Sequence, residues 1–320
     1  MKSYNNTLNR LYMSYKVSVL VVTFNRKKLL ERCVQSIIRQ SYPISSITIV
    51  DNNSSDGSYE YITTKFAMTF AIRNINFEWK RLKENCGGAG GFSCGVNLIR
   101  KTSYDFIWMM DDDGFPDKDC LLNLISHAST NSYIGPIVLS DKDKATLSFP
   151  LRLRKSLRVI DTIEDLKSYG SILHGVILPF NGTLLSGQLI KKIGAPDERF
   201  FIWGDEVDFT ERARANGAEI FTVTTASFYH PKANNIGSPM FFGLLRFNDS
   251  DSLLKLYCYC RNNLINLKKY KNPIFPILFV LKTFFYFSFT RPNLKKLVLC
   301  MRAFHHGILN DFTHHKEYIK

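Results

Sequence analysis

From Val17 onward, short β-branched runs alternate with segments that carry an apolar stripe at helical spacing. Val17-Ser-Val-Leu-Val-Val-Thr23 has the unbroken apolar character of a strand covered on both faces, as parallel strands are. Leu29, Leu30, Cys33, Val34, Ile37 and Ile38 then place one stripe on a helix predicted to end near Tyr42-Pro43. A strand over Ile47–Asp51, a turn over Asn52–Gly57 that caps a helix near Tyr59–Phe66, and a strand near Phe77–Leu82 follow. A glycine-rich turn, a helix near Phe92–Lys101 and a strand over Asp105–Met110 complete the third round. This order builds a mostly parallel, Rossmann-like α/β sheet flanked by helices, with ligands bound beyond the carboxyl ends of the strands.

Further on, a helix near Lys118–Ala128 and a strand near Ile134–Leu139 are expected, and the basic stretch up to Asp161 has no clear period. Periodicity returns at Ile172–Leu178. Phe200–Gly217 reads as an acidic first turn leading a helix stopped by Gly217, and a strand over Glu219–Thr224 runs on toward His230. Past Pro239 the rhythm is lost and the chain turns apolar, aromatic and basic. Three segments are therefore expected: a polar lead-in over 1–16, a catalytic domain over 17–239 and a C-terminal helical appendage over 240–320.

Composition sharpens this division. With 320 residues, 45% of them hydrophobic and only 11 prolines, the chain buries a sizeable core, which excludes wholesale disorder. The net charge is +14, and residues 241–320 hold thirteen basic against four acidic side chains, a surplus of nine. Such a balance suits a polyanion or an anionic membrane surface. Ile274–Thr290 contains seven aromatic residues but is interrupted by Pro276 and Lys282 and is short for a bilayer span; it lies on a membrane or packs in a core. Seven cysteines without CxxC spacing, and a Met1–Lys16 segment without an apolar leader, fit a reducing cytoplasmic compartment.

Asp111-Asp112-Asp113 closes the apolar strand Phe106–Met110, and three adjacent acids repel one another unless a cation neutralises them. Hard oxygens in this pattern suit Mg²⁺ or Mn²⁺; a solvated acidic turn before Gly114 is the alternative. Asn85–Phe92 carries four glycines, which let backbone approach a phosphate or ribose, or simply shape a turn. It is not the dinucleotide fingerprint, because Ser93 stands where a third glycine or alanine is required. Asp205-Glu206, with Asp208, supplies either a general base or complements to a helix dipole, and His230 alone is a ligand or a packed histidine.

Taken in order, Val17 through Arg26, Val50-Asp-Asn-x-Ser-x-Asp-Gly57, Asn85-x-Gly-Gly-Ala-Gly-Gly-Phe92 and Trp108-x-x-Asp-Asp-Asp113 resemble family 2 glycosyltransferases of GT-A fold. Trp203-x-Asp-Glu-x-Asp-Phe209, His230 and Arg261-Asn262 are similar to the bacterial galactofuranosyltransferase branch and its rhamnosyltransferase-like relatives. The resemblance covers roughly residues 16 to 265. It implies that Thr23, Arg26, Asp51, Asn85, Asp111 and Asp112 bind the nucleotide-sugar, and that Asp111, Asp113 and His230 hold Mn²⁺ or Mg²⁺. By the same resemblance Glu206 or its neighbour Asp205 is the catalytic base, with Glu standing where Asp is common, and Trp203 stacks on the acceptor. The implied activity is metal-dependent, inverting transfer of a sugar in surface-glycan synthesis such as O-antigen or capsule, with UDP-galactofuranose favoured over dTDP-rhamnose as donor. A lipid-linked or oligosaccharide acceptor would bring the enzyme to the inner face of the cytoplasmic membrane, and the C-terminal helices would otherwise form a homo-oligomer interface.

Two rival readings use the same residues. A sugar-1-phosphate nucleotidyltransferase needs a glycine-rich loop after the first strand, where this chain has Thr23-Phe-Asn-Arg26. A basic protein that binds nucleic acid would spread its charge over a recognisable motif, and clustered aspartates repel a phosphate backbone. No nucleic-acid partner is expected.

Overall fold

In a computed structural model, residues 15–152, 159–232 and 237–319 are described; most of the expected lead-in lies outside them. The chain groups into two compact units. The first takes the residues through Cys86, then Gly91–Ala195 and Arg212–Lys232; the second takes Gly87–Gly90, Pro196–Glu211 and the described residues after Lys232.

Eleven described strands make the sheet of the first unit. Its parallel half is β3 (Asn76–Arg81), β2 (Ser46–Asp51), β1 (Val17–Thr23) and β4 (Phe106–Asp111), side by side in that order. Every residue of β1 is buried, as its largely β-branched, apolar run requires. On one face Val17, Val19 and Val21 join Trp108 and Met110 in a core closed by α1 (Lys27–Ile38) and α2 (Ser58–Ile72). The stripe Leu30, Cys33, Val34, Ile37 and Ile38 is buried, but the helix stops at Ile38, short of Tyr42.

The glycine-rich segment is not a turn. Gly87–Ile99 is helix throughout, here α3, and its glycines permit close approach to β1. A Cβ on Gly91 would meet Val22 Cγ1 at 2.4 Å, and one on Gly95 would meet Leu20 Cδ1 at 2.2 Å. Gly88, by contrast, has nothing within 4 Å of the place a Cβ would take.

Beyond β4 the sheet is mixed. β5 (Phe115–Pro116), α4 (Cys120–Ile125) and β6 (Ser132–Ser140) lead to the hairpin of β7 (Thr146–Arg152) and β8 (Val159–Thr162), which occupies the basic stretch without a period. After β9 (Ile172–His174), β10 (Asn181–Ser186) inserts between β4 and β6, antiparallel to both, and α5 (Gly187–Ile193) follows. Trp108 Nε1 donates to Gly182 O at 2.9 Å, satisfying a fully buried indole. Helix α6 (Asp205–Ala215) precedes β11 (Glu219–His230), which pairs parallel with β6 and continues through an irregularity between Val223 and Ser227 as far as His230.

The second unit holds the hairpin β12 (Ser238–Met240) and β13 (Leu245–Phe247), and helices α7 (Leu253–Tyr270), α8 (Ile274–Phe285) and α9 (Leu294–Leu309). Ser252 Oγ and Asn293 Oδ1 cap α7 and α9 by accepting from Lys255 N and Lys296 N. Leu256, Tyr257, Cys260, Phe279, Tyr286 and Phe304 are at its core. No helix among the described residues is long and apolar enough to cross a membrane.

Candidate active site

Parallel registration brings three strand ends of the first unit level: Thr23 pairs with Asp51, and Val22 with Asp111. The polar groups that the sequence placed at strand ends therefore share one edge of the sheet. Asp112, 3% exposed, accepts from Thr23 Oγ1 at 2.7 Å and from Arg26 Nη1 at 3.1 Å. The same Arg26 nitrogen reaches Asp113 Oδ2 at 2.7 Å, so one guanidinium bridges two of the three acids. Burial pushes the Asp112 carboxyl up to about 6 despite Thr23 and Arg26. For Asp113, burial acts in the same direction, but His230 and Arg26 outweigh it and hold the group below the ordinary carboxylate value.

His230, carried to this edge by β11, lies with Nε2 3.2 Å from Asp113 Oδ1. Its Nδ1 is 2.7 Å from Pro231 O, and a carbonyl only accepts, so Nδ1 carries the proton. In the neutral ring Nε2 is then a bare lone pair facing a carboxylate oxygen, and Asp113 Oδ1 is buried without a hydrogen-bond donor among the described residues. Two facing lone pairs are stable only with a cation or proton between them, and an imidazole whose far nitrogen donates to a carbonyl is oriented as metal-bound histidines are. Burial lowers the His230 pKa, but Asp113 raises it by more, so the pair also accommodates a proton. These donors fit a divalent ion. No three His, Cys, Asp or Glu side chains among the described residues form a ready-made cage, so Asp111 is not seen completing the expected trio. Asp111 ends β4 half-buried.

The other nucleotide candidates are less direct. Asp51 is buried and accepts from Ser54 N at 2.7 Å, which shapes the loop after β2. Asn85 is half-buried before α3, where the neighbouring Cys86 N donates to Asn52 Oδ1 at 3.3 Å.

Residues 200–204 of the second unit form a tight loop in which Phe201, Trp203 and Gly204 all adopt positive φ, at 66°, 59° and 94°. Bulky residues rarely occupy this region, and the loop is held from outside. Arg261, wholly buried on α7, donates to Phe200 O at 3.1 Å, and Asn262 Nδ2 reaches Phe200 O, Ile202 O and Trp203 O at 3.0, 3.0 and 2.5 Å. Asn266 Nδ2 donates to Gly204 O at 2.8 Å. The loop delivers α6, where Asp205 is 4% exposed while Glu206 accepts from Gly204 N at 2.7 Å. Glu206 lines a cleft of about 330 Å³ together with Trp203, Tyr259 and a set of carboxamides, Asn248, Asn262, Asn263 and Asn266. Asp249 also lines it, and among the described residues no lysine or arginine does. Asp208 is taken up by Lys269 Nζ at 2.8 Å and Tyr270 OH at 2.6 Å. Asn263 and Asn266 on α7 and Asn248 after β13 had no sequence signal, because asparagines drawn from a helix and a loop share no spacing.

Residues 18–177 match Glycosyl transferase family 2. The chain belongs to this family. Among curated proteins, this glycosyltransferase is 30% identical over 256 residues to galactofuranosyltransferase GlfT1 of Mycolicibacterium smegmatis, covering 77% of this chain and 81% of that one. Among solved structures, Staphylococcus aureus TarS superposes with a TM-score of 0.57 at 15% identity, covering 95% of this chain and 50% of TarS. GalNAc-T7 with UDP, GalNAc and Mn²⁺ superposes with a TM-score of 0.58 at 14% identity, covering 96% and 58%. The glycosyltransferase thus has the GT-A architecture that the family resemblance implied, with a mixed sheet.

Proposed function

We propose that this glycosyltransferase moves galactofuranose from UDP-galactofuranose to a lipid-linked or oligosaccharide acceptor in bacterial surface-glycan synthesis, with inversion and with a divalent metal. The facing of His230 Nε2 and Asp113 Oδ1 at 3.2 Å carries this reading, because that pair offers a divalent ion two adjacent donors where the strand ends converge. The likeness to GlfT1 supports the donor, and the presence of Mn²⁺ with UDP in the GalNAc-T7 structure supports the metal.

Asp113 and His230 would hold the ion, with Asp111 as the third donor. When bound, Mn²⁺ or Mg²⁺ neutralises charge on the departing diphosphate. Thr23 and Arg26 orient Asp112 toward the nucleotide-sugar, while Asp51 and Asn85 shape the loops that receive base and ribose. Glu206 takes the proton of the acceptor hydroxyl, and Trp203 offers its ring to the apolar face of the acceptor sugar. A single displacement through an oxocarbenium-like state then inverts the anomeric centre. A lipid-linked acceptor places this chemistry at the inner face of the cytoplasmic membrane.

Nucleotide release from a panel of UDP- and dTDP-sugars, with Mn²⁺, Mg²⁺ or EDTA and a lipid-linked acceptor, tests the reading. Release from UDP-galactofuranose that EDTA abolishes and that Asp113→Ala and Glu206→Gln both lose is the expected result. Turnover of dTDP-rhamnose instead would replace the donor, and metal-independent turnover would overturn the role of Asp113 and His230.

A further inference from the structure

Helix α8 breaks the rule for a helix on the surface of a water-soluble unit. Of α8 only Phe279 and Thr283, continued by Tyr286 and Phe287 in the π-helical turn Tyr286–Thr290, are buried, with Val280 partly buried against the same core. The opposite side ought to be polar. Instead Ile274, Ile277, Leu278, Leu281, Phe284 and Phe285 are each 43–57% exposed. The one charged residue of the helix, Lys282, is turned aside, its Nζ 3.3 Å from Arg246 O.

The β12–β13 hairpin extends this face. Phe241 and Phe242 at its tip have φ of 48° and 56°, a region disfavoured for any residue with a side chain, and Leu244 is 84% exposed. Phe242 is fully exposed, so no packing within the unit repays its conformation. The Phe241 ring lies 6.0 Å from that of Phe285, joining tip and helix into one surface.

We propose that this surface docks in the plane of an anionic phospholipid membrane, with the Phe241–Leu244 tip and the outer side of α8 entering the headgroup–acyl boundary. Charge selects this occupant. Exposed Arg246, Arg291 and Lys295 follow closely on the exposed apolar residues Leu245, Phe289 and Leu294. Asp249, the nearest acid to the hairpin in sequence, is already paired with Lys296 Nζ at 2.8 Å. A second copy of the chain would bring the same three cations against themselves, whereas an anionic headgroup layer complements them. The docking gives a physical site to the membrane position proposed above and is independent of donor and acceptor.

Flotation of the full chain with phosphatidylcholine vesicles, and with vesicles of phosphatidylcholine and phosphatidylglycerol in equal parts, tests this without any substrate. Binding to the mixed vesicles only, weakened by salt, is expected. Phe242→Gly removes the tip ring while relieving its backbone, so the fold is retained, and it should weaken partitioning about tenfold or more. Leu278→Glu with Leu281→Glu should abolish binding, circular dichroism serving as the check on folding. Equal binding to neutral vesicles, binding unchanged in both variants, or a dimer by light scattering that Phe242→Gly dissociates would each overturn the proposal.

Discussion

Replacing Asn262 by alanine tests how the strained loop before α6 is held. Two amide protons of Asn262 serve three carbonyls, of which Phe200 O keeps Arg261 as a second donor. Ile202 O and Trp203 O lose theirs. A carbonyl left dry costs about 1–3 kcal/mol, and Trp203 borders the cleft where water relieves part of that loss, so about 2–4 kcal/mol of stability should go. Asn263, the next residue, lines the same cleft and is half-exposed; Asn263→Ala should cost about 0.5 kcal/mol or less. Urea unfolding followed by circular dichroism measures both. A second readout separates position from bulk stability: in Asn262→Ala the acceptor KM should rise while donor binding is unchanged, because the released loop carries Trp203 and leads directly into Glu206 on α6. If Asn262→Ala matches Asn263→Ala in stability, or impairs donor binding as much as acceptor KM, the loop is not held in the way argued.

Glycines of α3 should divide by what they face. Gly95→Ala forces a Cβ to 2.2 Å from Leu20 Cδ1 and should destabilise by about 1–3 kcal/mol in thermal unfolding, while Gly88→Ala, with open space around it, should gain about 0.5–1 kcal/mol. Loss of UDP binding in Gly88→Ala with the fold intact would mean that the open side of Gly88 faces the nucleotide. Glu206→Gln should lower kcat by roughly 10²–10⁴ with UDP binding retained, and Asp205→Asn by much less; the reverse order in steady-state kinetics would move the base to Asp205. Glu31, with Lys65, Lys28 and Tyr61 around it, has its carboxyl lowered to about 2, first by the Lys65 hydrogen bond and then by Tyr61. A folded-state pKa below the unfolded value stabilises above the unfolded value and loses that contribution as pH falls toward 2. A carboxyl NMR titration of Glu31 should therefore show its midpoint near 2, moving up in Lys65→Ala, and an unshifted midpoint would refute the pairing.

The parallel half of the sheet was legible because burial on both faces leaves a run rich in apolar and β-branched residues, and β1, β2 and β4 each carry one. The strand ends followed from it, since polar residues directly after such a run have nowhere to go but the sheet edge. That logic located Thr23, Arg26 and the three aspartates. It did not foresee that Arg26 would bridge Asp112 and Asp113, because a residue 87 positions away in sequence has no spacing that betrays it. β10 was illegible for a different reason. Asn181-Gly-Thr-Leu-Leu-Ser186 is polar at both ends and gets its place from pairing with β4 and β6, not from local propensity.

The glycines show how one pattern supports two physical causes. A dense run of them after a strand permits a phosphate to approach the backbone and equally permits a helix to approach a strand, and Gly91 and Gly95 serve the second purpose. The acidic pair divides along similar lines. Asp205 and Glu206 are neighbours that composition cannot separate, but one helical step turns successive side chains by about 100°. That rotation buries Asp205 and leaves Glu206 on the wall of the cleft, tied through one oxygen to Gly204 N. Its other oxygen accepts no hydrogen bond among the described residues, which is the state a base needs before it takes a proton from a hydroxyl.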